Sequence, residues 1–334
     1  MNLAEARDRI RLWPHLNAFI SVSDEEGEGT VVAVKDLVDV RGMVTTAGGI
    51  ILPNVPATED APVVRSIREA GCVVIGKTNL HEFAYGVTPA SLCGVAGFKP
   101  AFGSIDISGV IPLSRSLDTL GPMGPNIAAV ATAYSMMSGE DVPLDALTAP
   151  QLAVPAGWVT DLDRPTSEAW SKVSKGLPEI EFVDRSRLFE VGLTILLAEA
   201  AEYHRRWAAE SPEKYGADVL RLIRRGLEIP SGEYLQALEE RMQLQVEAQR
   251  AMEAIDALVL PATAIVAPPV DAGPEVREPL SRFTRPFNTT HQPVAVLPAP
   301  LPLGLPVGIQ VAGRTNAGTL RAAAWLEGQW RSLG

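Results

Sequence analysis

Residues 30–40 read TVVAVKDLVDV and residues 60–79 read DAPVVRSIREAGCVVIGKTN. The first stretch is dense in β-branched side chains. It reads as a buried strand that runs into a turn at Gly42. In the second, Asp60 stands where a helix cap accepts a backbone N–H, and Pro62 falls in the first turn, where a missing N–H costs nothing. Val63, Val64, Ile67 and Ala70 then form one apolar face, and Gly71 ends the helix. Cys72 to Gly76 is a second short apolar strand, with Lys77, Thr78 and Asn79 at its C-terminal end. A strand–helix–strand unit with a crossover of this length pairs its strands in parallel, so the chain is expected to be α/β.

Downstream, glycines recur between Pro89 and Asp118, marking turns and short strands. Ile127 to Ser138 reads as a helix, and residues from about Ser167 to Asp256 are mostly helical. Ser231 is placed to cap the longest helix, in which Leu235, Leu238, Met242 and Val246 keep the three- and four-residue spacing of a core-facing stripe. Ala257 to Leu260 reads as another buried strand, and Val294 to Leu297 with Val307 to Val311 as a closing pair. No internal repeat or low-complexity linker divides the chain, and one domain over residues 1–334 is expected.

Hydrophobic residues make up 46% of the chain, enough for a sizeable core. Acidic residues number 40 against 29 basic ones, a formal charge of −11 that repels phosphate backbones, so a nucleic-acid partner is not expected. The uncharged stretch Thr119 to Gly139 opens with glycines and prolines and leaves only Ile127 to Met137 as continuous helix, too short to span a bilayer. The N-terminal MNLAEARDRIRLW lacks the apolar centre of a signal peptide, which points to a cytoplasmic protein without membrane contact. Cys72 and Cys93 both sit among apolar residues and read as small buried thiols rather than a disulfide.

Lys35 is the most informative residue. It follows Val31 to Val34 directly, so its stem enters a stretch expected to be buried, where an ammonium needs an ion pair or a lowered pKa. Strand alternation places Asp36 on the opposite face from Lys35. Two readings stay open on the residues alone: a structural lysine at a strand end, or a base tuned to activate a nucleophile. His15, His81, His204 and His291 are far apart and have no metal-ligand spacing, and His204 lies in an Arg-rich run that reads as a solvated face. Lys77 and Lys99 read as surface or ion-paired groups. Neither a phosphate loop nor a dinucleotide fingerprint occurs, so no metal or cofactor is expected.

Several long runs resemble one family. VVAVKDLVDVRGMVTTAGG (31–49) looks like the segment that carries the catalytic lysine of the amidase signature family. DAPVVRSIREAGCVVIGKTNLHEFAYGVT (60–88) resembles the helix and strand that follow it there. GVAGFKPAFGSIDISGVIPLSRSLDTLGPM (94–123) is similar to the stretch after the family's nucleophile, and FTRPFNTTHQPVAVLPAPLPLGLPVGIQVAGR (283–314) again looks like the family. The likeness runs in order from about Asn17 to Glu327. It implies a mixed central sheet covered by helices on both faces and an amide hydrolase acting on a small-molecule amide through a Ser–cis-Ser–Lys triad. Serine needs an adjacent base, and preorganised N–H donors stabilise the developing oxyanion. Carried over residue by residue, only the lysine transfers, onto Lys35. The expectation is that Lys35 is buried at the end of a central strand and faces a cavity.

The departure is large. Between HEFAYGVT and PASLCGVAG, members carry several dozen more residues, which hold the glycine–serine run with the cis-serine and then the turn with the nucleophile and oxyanion donors. Here Pro89 follows Thr88 directly, an internal deletion at 88/89, and neither triad serine has a counterpart. Ser91, Ser104, Ser108, Ser114 and Ser116 lie downstream, but none sits in a glycine-rich turn, and they read as loop or capping serines. Three readings remain: an amidase whose sequence here lacks a segment, a non-catalytic scaffold or ligand-binding subunit on the amidase fold, and a hydrolase with a rebuilt site. The lost piece includes an expected central strand, so a chain without it is not expected to keep the family's fold. If Thr88 and Pro89 are bonded, their Cα atoms lie about 3.8 Å apart. The oligomeric state is left open.

Overall fold

The computed structural model describes residues 2–85, 89–144, 148–300 and 304–331. The Thr88–Pro89 spacing lies outside the described residues. In chain order the strands are β1 (Phe19–Val22), β2 (Val31–Lys35), β3 (Val73–Thr78), β4 (Ala96–Lys99), β5 (Met123–Gly124), β6 (Leu152–Pro155), β7 (Glu179–Ile180), β8 (Ala257–Pro261), β9 (Val294–Pro298) and β10 (Gly308–Gly313). The helices are α1 (Leu3–Leu12), α2 (Pro62–Glu69), α3 (Pro89–Cys93), α4 (Ile127–Ser138), α5 (Arg164–Val173), α6 (Arg185–Glu210), α7 (Ala217–Leu227), α8 (Ser231–Ala251), α9 (Arg277–Ser281), α10 (Arg285–Thr289) and α11 (Asn316–Arg331).

A seven-stranded sheet in the order β5-β4-β9-β10-β8-β6-β7 forms the centre. Its pairs from β5 to β8 are antiparallel, and β6 joins β8 and β7 in parallel, so the sheet is mixed. Strand alternation sends Val259, Ala295, Leu297, Ile309 and Val311 to a core shared with α2, α4 and α11. The residues between them, Leu258, Leu260, Val294, Val296 and Ala312, enter a second core with α6, α8 and α10. Both faces are covered by helices, as the resemblance implied.

The two strands of the 30–79 region join β1 in a separate three-stranded sheet, β1-β3-β2, in which β2 and β3 pair in parallel as expected. Val34, Val64, Ile67 and Val74 join the core around α4, which binds this sheet to the larger one. The small sheet is also fastened to the chain around residues 44–46 at a polar point. Lys77 and Asp36 are both fully buried, with Nζ 3.0 Å from Asp36 Oδ1. Nζ also donates to Thr45 Oγ1 at 3.0 Å and to the Val44 carbonyl, and the Thr45 hydroxyl donates to Asp39 Oδ1 at 2.7 Å. The other oxygen of Asp36 accepts from the Thr46 N–H and hydroxyl. Burial pushes the Lys77 ammonium below the usual lysine range, and the hydrogen bond and charge of Asp36 oppose that.

Several local expectations are corrected. Asp60 does not cap α2, whose cap is Ala61; its carboxylate instead binds the Arg41 N–H and Arg68, and Ala70 is exposed. Ser231 opens α8 without a capping bond, and α6, at 26 residues against 21, is the longer helix. Most of the stripe on α8 is not core: Leu235, Met242 and Val246 are exposed, only Leu238 packs partly against the core, and Ala237, Leu244 and Ala248 make the buried face. His204 is fully buried against Phe83, with Nδ1 3.0 Å from the Tyr215 hydroxyl, and burial lowers its pKa to about 4. Of the two roles expected for Lys77, it takes the ion-paired one, in the interior with Asp36 and not at the surface. Both cysteines are free; Cys72 is buried but Cys93 is exposed.

Removing one partner of a buried ion pair strands the other charge, at about 3–5 kcal/mol. Lys77→Met and Asp36→Asn are each expected to lower the urea-unfolding free energy by that order. Lys77→Met/Asp36→Leu is expected to lose much less than the sum of its single substitutions, because no charge remains stranded. Additive losses would mean that the pair is not coupled.

Candidate active site

β2 ends at Lys35, and alternation sets its neighbours Val34 and Asp36 inward while Lys35 reaches solvent. The expected placement is therefore corrected on two counts. β2 pairs only with β3 among the described strands, so Lys35 stands on an edge strand of the smaller sheet, and its side chain is exposed rather than enclosed. The fully buried lysine of this region is Lys77. Neighbouring protein atoms nevertheless desolvate its ammonium in part. That partial desolvation holds its ammonium below the usual lysine range, and the Asp118 carboxylate pulls it back up. Among the described residues Lys35 makes no side-chain hydrogen bond or ion pair.

Asp118 belongs to a fastened turn. Its Oδ2 accepts the N–H groups of Leu113 and Ser114 at 2.9 and 3.0 Å. Burial raises its pKa to about 6 in spite of these donors, with Glu199 adding to the rise and Lys35 opposing it. Glu199 reaches in from α6: Oε2 accepts the Ser114 hydroxyl at 2.7 Å and the Ser116 N–H at 3.0 Å, and Oε1 accepts the Tyr234 hydroxyl of α8 at 2.8 Å. Burial works against that carboxylate, but the hydrogen bonds from Ser116, Ser114 and Tyr234 outweigh it and keep Glu199 below its usual range. Arg241 of α8 donates to Ser116 Oγ and O, and His291 Nε2 donates to the Ser116 carbonyl at 2.9 Å while its ring stacks on Phe102.

These bonds also account for the candidate serines. Ser91 is buried, accepts the Gly308 N–H at 3.0 Å and lies 3.3 Å from the Thr263 hydroxyl. Ser104 accepts from Asn316, and the Ser108 N–H donates to Asp106. Ser114 and Ser116 are held by Glu199 and Arg241. None has Lys35 as a partner; Ser104, Ser108, Ser114 and Ser116 lie in loops as expected, whereas Ser91 departs from that reading, buried within α3. Lys99 departs from its expected role: it is half-buried, makes no ion pair among the described residues, donates to the Pro100 carbonyl, and burial lowers its pKa to about 7. The residues missed from sequence were Asp118 and Glu199. Their only signal was a carboxylate within otherwise apolar or helical surroundings, which also describes many surface acids.

A family model described as Amidase matches residues 27–88, 86–157 and 164–319. The first two pieces meet at residues 86–88, beside the Thr88–Pro89 bond. An amidase of Pseudomonas putida is 30% identical over 351 residues, covering 81% of this chain and 74% of the relative. A glutamyl-tRNA(Gln) amidotransferase subunit of Thermotoga maritima is 27% identical over 415 residues, covering 92% and 86%. That alignment is longer than the 334 residues of the chain, so the relative carries residues with no counterpart here. A crystal structure of an amidase superposes with a TM-score of 0.89 at 27% identity, over 98% of this chain and 95% of that one. The expectation that the fold would not survive without the serine segment is thus overturned. The cores on both faces of the seven-stranded sheet are built from residues that the chain retains.

The coupling of Lys35 to Asp118 has a sign. Desolvation makes the free amine appear at lower pH than for an unperturbed lysine, and Asp118, ionised above about pH 6, limits that shift. In Asp118→Asn the midpoint for Lys35 is expected to move further down. Acetylation of Lys35 as a function of pH, mapped by mass spectrometry, reads it; a midpoint that stays or rises would dissolve the pairing.

Proposed function

The chain belongs to the amidase family, and from that premise we propose that it holds the base of an amide-hydrolysing site in Lys35 and lacks the serines that the base would serve. By family it stands with C–N hydrolases and amidotransferase subunits. In the finer reading residues 1–334 form one cytoplasmic domain that binds a small amide without metal or cofactor. Lys35 is the proton acceptor; desolvation disfavours its ammonium, and the Asp118 carboxylate opposes that. The single observation that supports this most is Lys35 itself: a lysine held below its usual range, with no side-chain partner among the described residues. Lys77 differs in this respect, because a carboxylate and a hydroxyl hold its ammonium in place.

Every nearby serine is engaged elsewhere, so the proposal includes catalytic incompleteness. A triad without its nucleophile and oxyanion donors retains only binding. A second reading, a non-catalytic scaffold or ligand-binding subunit, is favoured by one observation: the relative from Thermotoga maritima is itself named as a subunit.

The test compares the 334-residue chain with a version that carries a family-like glycine–serine segment between Thr88 and Pro89. The first is expected to hydrolyse simple aryl and alkyl amides no faster than buffer. The second is expected to turn over, and to stop with Lys35→Ala. Turnover by the first that vanishes with Ser91→Ala would mean a rebuilt site. A folded, silent second version would favour the scaffold.

A further inference from the structure

The exposed stripe on α8 is not scattered surface apolarity. Leu235, Met242 and Val246 are 58%, 58% and 45% exposed. At about 100° per residue they fall within about 40° of one another around the helix, on the side opposite the buried Ala237, Leu244 and Ala248. They form a row about 16 Å long on the solvent side of the helix, with a two-turn gap between Leu235 and Met242. Along one flank of this ridge stand Glu239 and Arg250, both exposed, and neither side chain has a hydrogen bond or ion pair among the described residues.

We propose that this ridge is the self-association surface of the protein, and that its occupant is α8 of a second copy, packed antiparallel about a two-fold axis near Leu244 and Gln245. In an antiparallel pair the same flank of each helix meets its counterpart in reverse order. Glu239 and Arg250 share that flank, on either side of this point. With the axis there, each Glu239 faces Arg250 of the second copy, so two ion pairs close the seam. The same register sets Met242 of one copy beside Val246 of the other at the centre. In a parallel pair opposite flanks would meet, and Glu239 and Arg250 would not face one another. The charge pattern therefore selects a second copy in one direction. A single helical seam buries less than a permanent interface, so the dimer is a weak one whose population follows concentration. The inference is independent of the catalytic reading.

Sedimentation velocity on the full chain, from about 1 to about 200 μM, tests it. The wild type is expected to shift from monomer to dimer across that range. Glu239→Arg and Arg250→Glu are each expected to weaken association about tenfold or more, and Glu239→Arg/Arg250→Glu to restore it, since the reversed pair is equivalent. Circular dichroism checks that each variant is folded, and the recovery in the double variant cannot come from misfolding. A wild type that stays monomeric at every concentration would overturn the proposal and leave the ridge to a different protein. A dimer unchanged by all three variants, or a double variant no better than the singles, would overturn it as well.

Discussion

The fully buried contact between Lys77 and Asp36 is the constraint on which this end of the molecule depends. Two charges without solvent can coexist only if each finds partners in a fixed geometry. Here the partners come from successive residues of one turn: Val44, Thr45 and Thr46 bind the pair directly, and Thr45 passes the connection to Asp39. The same backbone is tied by Ala47 N–H to the Asp36 carbonyl and by Phe83 N–H to the Ala47 carbonyl. The small sheet thus has a polar anchor beside its apolar contacts. It fixes Asp36 inward, and strand alternation then leaves Lys35 no choice but to face the other way.

This separates two lysines that look alike in sequence. Each ends a short run of apolar β-branched residues, yet one is locked by a carboxylate and a hydroxyl, and the other is desolvated without a side-chain partner among the described residues. The turn 113–118 has the complementary design. Glu199, Tyr234, Arg241 and His291 hold its serines and backbone, and that leaves Asp118 oriented by backbone N–H groups with a carboxyl raised to about 6. A rigid frame around one adjustable pair of charges is what a base needs, and in the reading proposed for this chain the frame persists without a nucleophile to serve.

Much of the fold was legible from period and composition. Ile127 to Ser138 is α4 to the residue, the strands at 257, 294 and 307 are found within a residue or two, and β2 and β3 pair in parallel across α2. Each of these rests on local patterns that tertiary contacts do not contest. What failed were inferences from pattern to burial. The α8 stripe has core spacing, but the helix buries another face, Ala237, Leu244 and Ala248, so Leu235, Met242 and Val246 face out. His204 sits among arginines along the chain, yet the helix turns it inward onto Phe83. Lys35 was expected on a central strand because its neighbours are apolar, and that composition does not distinguish a strand between two others from one at an edge. Asp118 and Glu199 needed three-dimensional proximity that no spacing encodes.

In the proposed reading this chain keeps a base and has no activated serine. A fluorophosphonate that phosphonylates activated serines with loss of fluoride reports on that directly, without knowledge of the natural substrate. Intact-mass analysis of the folded 334-residue chain after exposure should show no adduct. A single stoichiometric adduct on any serine, lost when Lys35 is replaced by alanine, would contradict the claim and show that the chain has rebuilt its nucleophile.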